Sequence, residues 1–275
     1  MARDTTSTPE PAGKLSRRRL LQMMGMLGVT GAAAVSGVAA LSRLTEAGDN
    51  PVPAHPGSSG EAGAHQWVFI MDLRNCDGCE QCTAACQKMH YLNKDQTWIK
   101  VFKLTSAAGQ DFFMPRSCMQ CEVAPCVSVC PVGASFKSPD GITLIDSDKC
   151  IGCRMCMAAC PYGARYFNWT EPPKAPAGMG PRRPEYPVPQ QKGTVGKCVM
   201  CVHNLRYGKL PGCVEACHMG ALYVGDRNTD LATNGQVVVK LSEFLKAHDA
   251  TRFKEELNTR PRVYYILGHG QSINF

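Results

Sequence analysis

Residues 150–161 read Cys150-Ile151-Gly152-Cys153-Arg154-Met155-Cys156-Met157-Ala158-Ala159-Cys160-Pro161, a run with the spacing C-x2-C-x2-C-x3-C-P. Related runs occur three more times in the chain. The four groups are, in chain order, Cys76, Cys79, Cys82 and Cys86; Cys118, Cys121, Cys126 and Cys130; Cys150, Cys153, Cys156 and Cys160; and Cys198, Cys201, Cys213 and Cys217. They account for all 16 cysteines, so one chemical explanation has to cover every cysteine.

The four runs are variants of one motif. Groups one and three have identical spacing, whereas the middle gap widens to four residues in group two and to eleven in group four. The final C-x3-C spacing is constant. After the last cysteine, groups two, three and four each continue to a Gly-Ala pair, at Gly133, Gly163 and Gly220 respectively. The sequence therefore contains an internal fourfold repeat whose loops vary in length.

Spacing of this kind is typical of iron-sulfur ligation. A tight loop bearing three thiolates can wrap one 4Fe-4S cubane and donate backbone N–H groups to its sulfurs, so the fourth thiolate must come from elsewhere. In two-cluster ferredoxins the last cysteine of a run ligates the other cluster. Groups two and three are therefore predicted to form one module, and groups one and four to pair across it.

The predicted ligand sets cross between runs, and all of these cysteines are predicted iron ligands of four 4Fe-4S clusters. The sets are cluster 1, Cys76, Cys79, Cys82 and Cys217; cluster 2, Cys86, Cys198, Cys201 and Cys213; cluster 3, Cys118, Cys121, Cys126 and Cys160; and cluster 4, Cys130, Cys150, Cys153 and Cys156.

Two other uses of cysteine fit the sequence less well. Disulfides staple small secreted domains, but a chain of 275 residues with 44% apolar residues is long enough to bury a core without them. Zinc could bind the cysteines of group four taken alone. Tetrahedral zinc does not need the three-cysteine loops of groups one and three, however, and these favour clusters.

The charge of the chain argues against nucleic acid as a partner. The formal net charge is +7, but residues 1–43 hold six Lys/Arg against two Asp/Glu, which leaves +3 for the remainder. Each cubane held by four thiolates adds about two negative charges, so four of them make that remainder acidic. The sequence also offers no catalytic triad, phosphate-binding loop or paired carboxylates, which favours a non-catalytic protein.

The N-terminal region has the features of an export signal. Ser16-Arg17-Arg18-Arg19-Leu20-Leu21 precedes an uncharged stretch rich in Gly and Ala, from Met23 to Leu41, and resembles a twin-arginine signal peptide. A short transmembrane anchor is the alternative. Residues 1–43 are thus predicted to be the signal and 44–64 a flexible linker. A protein loaded with clusters in a reducing compartment must cross the membrane already folded, so we expect a periplasmic location and the twin-arginine export machinery as a partner.

The remaining sequence predicts an α+β protein with many loops. Residues 65–225 are predicted to be the cluster domain, with 118–160 as an inserted two-cluster module and 226–275 as a C-terminal extension. Patterning indicates strands over 65–73, 98–104, 141–146 and 236–241, helices starting within 83–91 and 157–161, and Ser242 as a helix N-cap.

Two segments leave alternatives open. The Pro- and Gly-rich segment 171–196 is either an exposed insertion or an arm ordered against a partner. The tail 260–267 is either aromatic surface for partner contact or an internal edge strand. His218, which takes the place of the proline that follows groups two and three, is expected to pack or to bond locally.

From 67 to 225 the chain resembles a known family, the four-cluster iron-sulfur subunits of molybdopterin oxidoreductases of the dimethyl sulfoxide reductase type. The resemblance rests on the four groups in order and on two longer stretches. These stretches are Asp72-Leu73-Arg74-Asn75-Cys76-Asp77-Gly78-Cys79 and Asp148-Lys149-Cys150-Ile151-Gly152-Cys153, the latter continuing to Cys160-Pro161-Tyr162-Gly163-Ala164-Arg165.

The resemblance implies a double ferredoxin-like fold of two pseudo-symmetric two-cluster modules with loop-rich insertions. It also implies a relay of clusters between a molybdopterin-type catalytic subunit and an integral, quinone-reactive membrane subunit. Some members of the family replace one cysteine and hold a 3Fe-4S centre, whereas every ligand position here is Cys. A diffusible periplasmic polyferredoxin that serves several enzymes is the alternative function.

Replacing Arg17 and Arg18 together by Lys should block export, because the paired arginines are the feature that the folded-export route reads. We expect cluster-loaded protein to accumulate in the cytoplasm, as measured by iron content and immunoblotting of cell fractions. Arg43→Lys, outside the motif, is the control. Normal periplasmic accumulation of the double variant would refute the signal.

Overall fold

The computed structural model describes residues 64–268 and Ile273. The predicted signal over 1–43 lies outside the described residues, as does the predicted linker except for Ala64. The strands are β1 (Trp67–Asp72), β2 (Lys100–Thr105), β3 (Asp111–Arg116), β4 (Ser135–Lys137), β5 (Thr143–Ile145), β6 (Tyr166–Phe167), β7 (Val195–Gly196), β8 (Leu222–Asp226), β9 (Leu231–Thr233), β10 (Val238–Lys240), β11 (Thr251–Arg252) and β12 (Val263–Ile266).

The helices are short and lie among the strands in chain order. They are α1 (Gln81–His90), α2 (Pro125–Ser128), α3 (Met155–Ala158), α4 (Val202–Leu205), α5 (Gly212–Glu215) and α6 (Leu241–Ala247), with a 3-10 turn at Glu255–Leu257. Mixed sheets with few helices are compatible with the predicted α+β class. Between residues 64 and 268, no helix is long and apolar enough to cross a membrane.

A six-stranded sheet in the order β10-β9-β8-β1-β12-β11 forms the frame of the domain. Its central strand β1 is buried on both faces. Phe69 and Met71 face the core that contains the cysteines, whereas Val68 and Ile70 face a second cluster that includes Leu241 of α6. Alternate residues of a strand point to opposite faces, so a continuous apolar run is what a sheet covered on both sides requires.

Strand β12 decides between the two interpretations of the tail 260–267. Val263–Ile266 lies between β1 and β11, parallel to β1. Val263, Tyr265 and Ile266 are fully buried. Because this backbone is paired on both sides, the expectation of a partner-binding surface here is wrong.

Local signals predict most of the elements near the cysteines, with shifted ends. The strands predicted over 65–73 and 141–146 occur as β1 and β5. Ser242, however, is not the N-cap of α6, which begins at Leu241. Its N–H and hydroxyl groups donate instead to the carboxylate of Asp230, at 2.8 and 2.7 Å. A carboxylate distant in sequence therefore caps this helix, and helical periodicity cannot reveal such a partner.

The segment 171–196 divides into two parts. Residues up to Arg182 are largely exposed, whereas Val188, Gln190 and Thr194 are buried against the domain. The Tyr186 hydroxyl donates to the carbonyl of Met89 at the end of α1, at 3.0 Å. The second half is therefore part of the domain packing.

Candidate iron-sulfur sites

The four cysteine loops share one backbone feature. The residue before the second cysteine of each run has a positive φ: Gly78 (80°), Gln120 (48°), Gly152 (70°) and Met200 (53°). This left-handed conformation is rare outside Gly. It turns the chain sharply inside each run, and the Met200 N–H donates to the Cys198 sulfur at 3.3 Å. The recurrence of this turn in all four runs shows that the sequence repeat is also a structural repeat.

Two of these turns have no room for a side chain. A Cβ on Gly78 would lie 2.4 Å from the ring of Phe113, and one on Gly152 would lie 2.2 Å from the carbonyl oxygen of Gly193. Gln120 instead uses its side chain, which donates to the Cys198 carbonyl at 2.8 Å and accepts from the Thr143 N–H at 2.9 Å. Gln120 therefore ties group two to group four, a role that the spacing did not reveal.

Packing between helices brings groups one and four together. Helix α1 carries Cys82 and Cys86 and packs against α5, which carries Cys213 and ends shortly before Cys217. One cavity is lined by all four cysteines predicted for cluster 1, namely Cys76, Cys79, Cys82 and Cys217.

The cysteines predicted for cluster 2 form a fully interior group. Burial raises the pKa of Cys86 well above its usual value, and the nearby sulfurs of Cys198 and Cys201 raise that pKa further. Burial also raises the pKa of Cys213, with further increases from Cys201, Cys86 and Cys198. All four thiols of this set therefore lie close together in a dry environment.

Groups two and three are brought together in the same manner, through contact of α2 with α3. A second cavity is lined by the four cysteines predicted for cluster 4, namely Cys130, Cys150, Cys153 and Cys156. For the set predicted for cluster 3, burial raises the pKa of Cys121 to about 12, and the sulfurs of Cys118, Cys126 and Cys160 contribute to the increase.

The structure thus brings each predicted set together, three cysteines from one run and one from its paired run. Each set offers four sulfur ligands, a donor set that suits tetrahedral zinc or iron-sulfur clusters. Burial raises the pKa of Cys86, Cys121 and Cys213, so binding of a soft metal centre must displace protons from these thiols. The donors fit a cluster, and the assignment of one cluster to each set stays a prediction.

Two histidines lie beside cysteine sulfurs. His218, which the sequence predicts to bond locally, has its Nδ1 4.0 Å from the Cys79 sulfur. The other, His90, carries no sequence signal for a site, but its Nε2 is 3.3 Å from the Cys201 sulfur. Burial lowers the pKa of His90 to about 3. The two residues of this second contact lie far apart in the sequence, which left no local signal to predict it.

These loops and convergent sulfur sets define an iron-sulfur protein of the ferredoxin type. In agreement, residues 110–176 match the 4Fe-4S dicluster domain, and residues 74–91 match a 4Fe-4S binding domain.

Several known proteins are similar along most of the chain. A selenate reductase subunit of Mesobacillus selenatarsenatis is 40% identical over 216 residues, which is 73% of this chain and 72% of that protein. The arsenate respiratory reductase iron-sulfur subunit of Shewanella is 33% identical over 232 residues, 74% of this chain and 96% of that one. A tetrathionate reductase subunit of Salmonella typhimurium is 31% identical over 258 residues, 91% and 88% of the two chains. The protein belongs to this family of iron-sulfur electron-transfer subunits of reductases.

Membership fixes the general role of the protein. It transfers electrons and is not the catalytic subunit, as the sequence predicted. The cysteines stay the predicted cluster ligands, which the rest of the chain would position and shield from water.

Proposed function

We propose that the chain holds four 4Fe-4S clusters in the crossed ligand sets given above, in a double ferredoxin-like arrangement of two two-cluster modules. The observation that carries this proposal is the cavity in which Cys217 joins Cys76, Cys79 and Cys82. If all four cysteines of group one held the same cluster, Cys86 would line this cavity in place of Cys217. Bound clusters of this kind exchange electrons at potentials that the surrounding protein sets.

Shared boundaries between neighbouring sets support a linear relay. Cys82 and Cys86 are one turn apart on α1 and belong to clusters 1 and 2. Burial raises the pKa of Cys198 to about 11, and the sulfur of Cys118, in the cluster 3 set, is among the groups that raise it further. Cluster 2 therefore lies between clusters 1 and 3.

The inserted module, formed by groups two and three, supplies the last step of the relay. The guanidinium of Arg165 is close to the sulfurs of both Cys126 and Cys156, which belong to clusters 3 and 4. The order 1-2-3-4 follows. Cys79 and Cys153, in the two terminal sets, are exposed, whereas every cysteine of cluster 2 is buried. A relay with two accessible ends suits a subunit placed between two electron-exchange partners.

Apolar side chains are exposed among charged ones near both ends of the proposed relay. Ile151, Met155 and Trp169 are 64%, 53% and 64% exposed near the cluster 4 end, and Met219 is 42% exposed beside the cluster 1 end. Exposed apolar patches mark interaction surfaces. The relatives are named as subunits of reductases. We therefore propose a molybdopterin-type catalytic subunit as one partner and an integral, quinone-reactive membrane subunit as the other, on the periplasmic face after twin-arginine export.

Crossed ligation makes a prediction at two neighbouring cysteines. Cys86→Ala should abolish cluster 2, which is held mainly by group four, and should leave cluster 1 in place. Cys82→Ala, one turn away on the same helix, is the matched control and should abolish cluster 1. Redox titration followed by electron paramagnetic resonance should therefore show that each variant lacks a different midpoint potential. Loss of the same midpoint in both would mean that the run closes on itself.

A relay subunit should also be recovered in a complex. Mild detergent extraction followed by affinity purification should yield a larger catalytic partner and a hydrophobic partner in fixed ratio. Trp169→Asp should weaken recovery of one partner without changing the iron content, because it places a charge on the exposed apolar surface. Tyr207→Asp, at an aromatic residue that is 81% exposed outside these surfaces, is the control. A fully loaded, partner-free monomer that reduces unrelated enzymes would establish the diffusible polyferredoxin instead.

A further inference from the structure

Arg165 is a buried cation at the boundary between two cluster sets. The residue is only 4% exposed, and its Nη1 donates to the Ser135 hydroxyl at 2.8 Å. Nη2 is buried without a hydrogen-bond partner in the described part of the chain. The guanidinium acts on the sulfurs of Cys126 and Cys156, lowering the pKa of each thiol against the increase that burial causes. Arg165 therefore faces cluster 3 and cluster 4 together.

Lys197 occupies the corresponding place between clusters 2 and 3. It is 2% exposed, and its Nζ donates to the Cys198 carbonyl at 2.7 Å. Its charge acts on the sulfurs of Cys198 in the cluster 2 set and Cys126 in the cluster 3 set. Both buried cations thus act on a sulfur of the cluster 3 set, that of Cys126.

A third cation adjoins the same set. Lys137 Nζ donates to the carbonyls of Cys121 and Gly141, both at 2.7 Å. Burial lowers its pKa to about 8, while the sulfurs of Cys118 and Cys121 act to raise that pKa.

None of these three cations has a carboxylate partner within ion-pair distance among the described residues. An unpaired buried charge is strongly unfavourable. Sulfurs of the cluster 3 set interact with all three cations, so a cluster bound there would supply the compensating negative charge. The cluster 1 set has a negative neighbour instead of a positive one. Burial is the main cause of the raised pKa of Cys76, and the carboxylate of Asp77 raises that pKa further.

Reduction adds one negative charge to a cluster, and fixed positive charge in a low-dielectric interior stabilises the reduced form. Resting on the four-cluster function proposed above, we propose that Arg165, Lys197 and Lys137 make cluster 3 the highest-potential member of the relay. Cluster 3 is then the site where an electron resides between transfers, with clusters 2 and 4 raised to a smaller extent by one cation each.

Because Arg165 and Lys197 both act on cluster 3, cluster 3 should be the one cluster whose midpoint potential falls in variants of either residue. In the full-length protein in its complex, Arg165→Gln should lower the midpoints of clusters 3 and 4, and Lys197→Gln those of clusters 2 and 3. Redox titration followed by electron paramagnetic resonance should show that both variants lower the highest of the four midpoints. Each variant should lower one further midpoint, and this second one should differ between the two.

Two variants control for charge and position. Arg165→Lys keeps the positive charge and should retain most of the wild-type potential. Arg154→Gln removes an exposed cation that stacks on Phe167 and Trp169, at 5.3 and 4.9 Å, and water screens that charge. Arg154→Gln should leave the highest midpoint unchanged.

Iron and sulfide analysis of each variant separates the possible failures. A fully loaded Arg165→Gln protein whose highest midpoint is unchanged would overturn the inference and leave the relay intact. A wild-type chain with fewer than four clusters would overturn the proposed function itself. If Arg165→Gln fails to assemble, Lys197→Gln and Arg165→Lys decide the question. An unchanged highest midpoint in Lys197→Gln would contradict the role of fixed charge. A strongly lowered highest midpoint in Arg165→Lys would contradict it as well.

Discussion

The structure depends on one exchange, in which each cysteine run directs three sulfurs into one set and contributes its remaining sulfur to the set of its paired run. This exchange requires the two runs to be held face to face. Contact of α1 with α5 does so for groups one and four, and contact of α2 with α3 does so for groups two and three. The six-stranded sheet then fixes the ends of the outer pair, since β1 leads into group one and β8 follows group four.

The apolar core contains many buried cysteine thiols. Many cysteines belong to the same apolar core as Phe69, Met71 and Tyr265, and burial raises the pKa of Cys82 and Cys201 to about 12 each. Thiolates in such surroundings need compensation from a metal centre, from N–H donors or from cations such as Arg165. The same groups that complete the fold therefore also determine how readily an electron is accepted.

The sequence predicted the site better than the frame that holds it. Cysteine spacing was enough to group the sulfurs, and the apolar runs of β1 and β5 were enough to place strands beside them. What it missed were partners set by tertiary structure: the Asp230 carboxylate at Ser242, the Gln120 link to Cys198, and the contact of His90 with Cys201. Strand β12 could not be assigned because an aromatic, apolar strand has the same pattern whether neighbouring strands or a partner protein cover it.

Native mass spectrometry of the anaerobically purified full-length chain tests the four-cluster account most directly, because it measures metal and inorganic sulfide on one molecule. The account predicts a mass excess of about sixteen iron and sixteen sulfide atoms per chain, the content of four 4Fe-4S clusters. A mass excess that corresponds to zinc without sulfide, or to only two clusters, would contradict it.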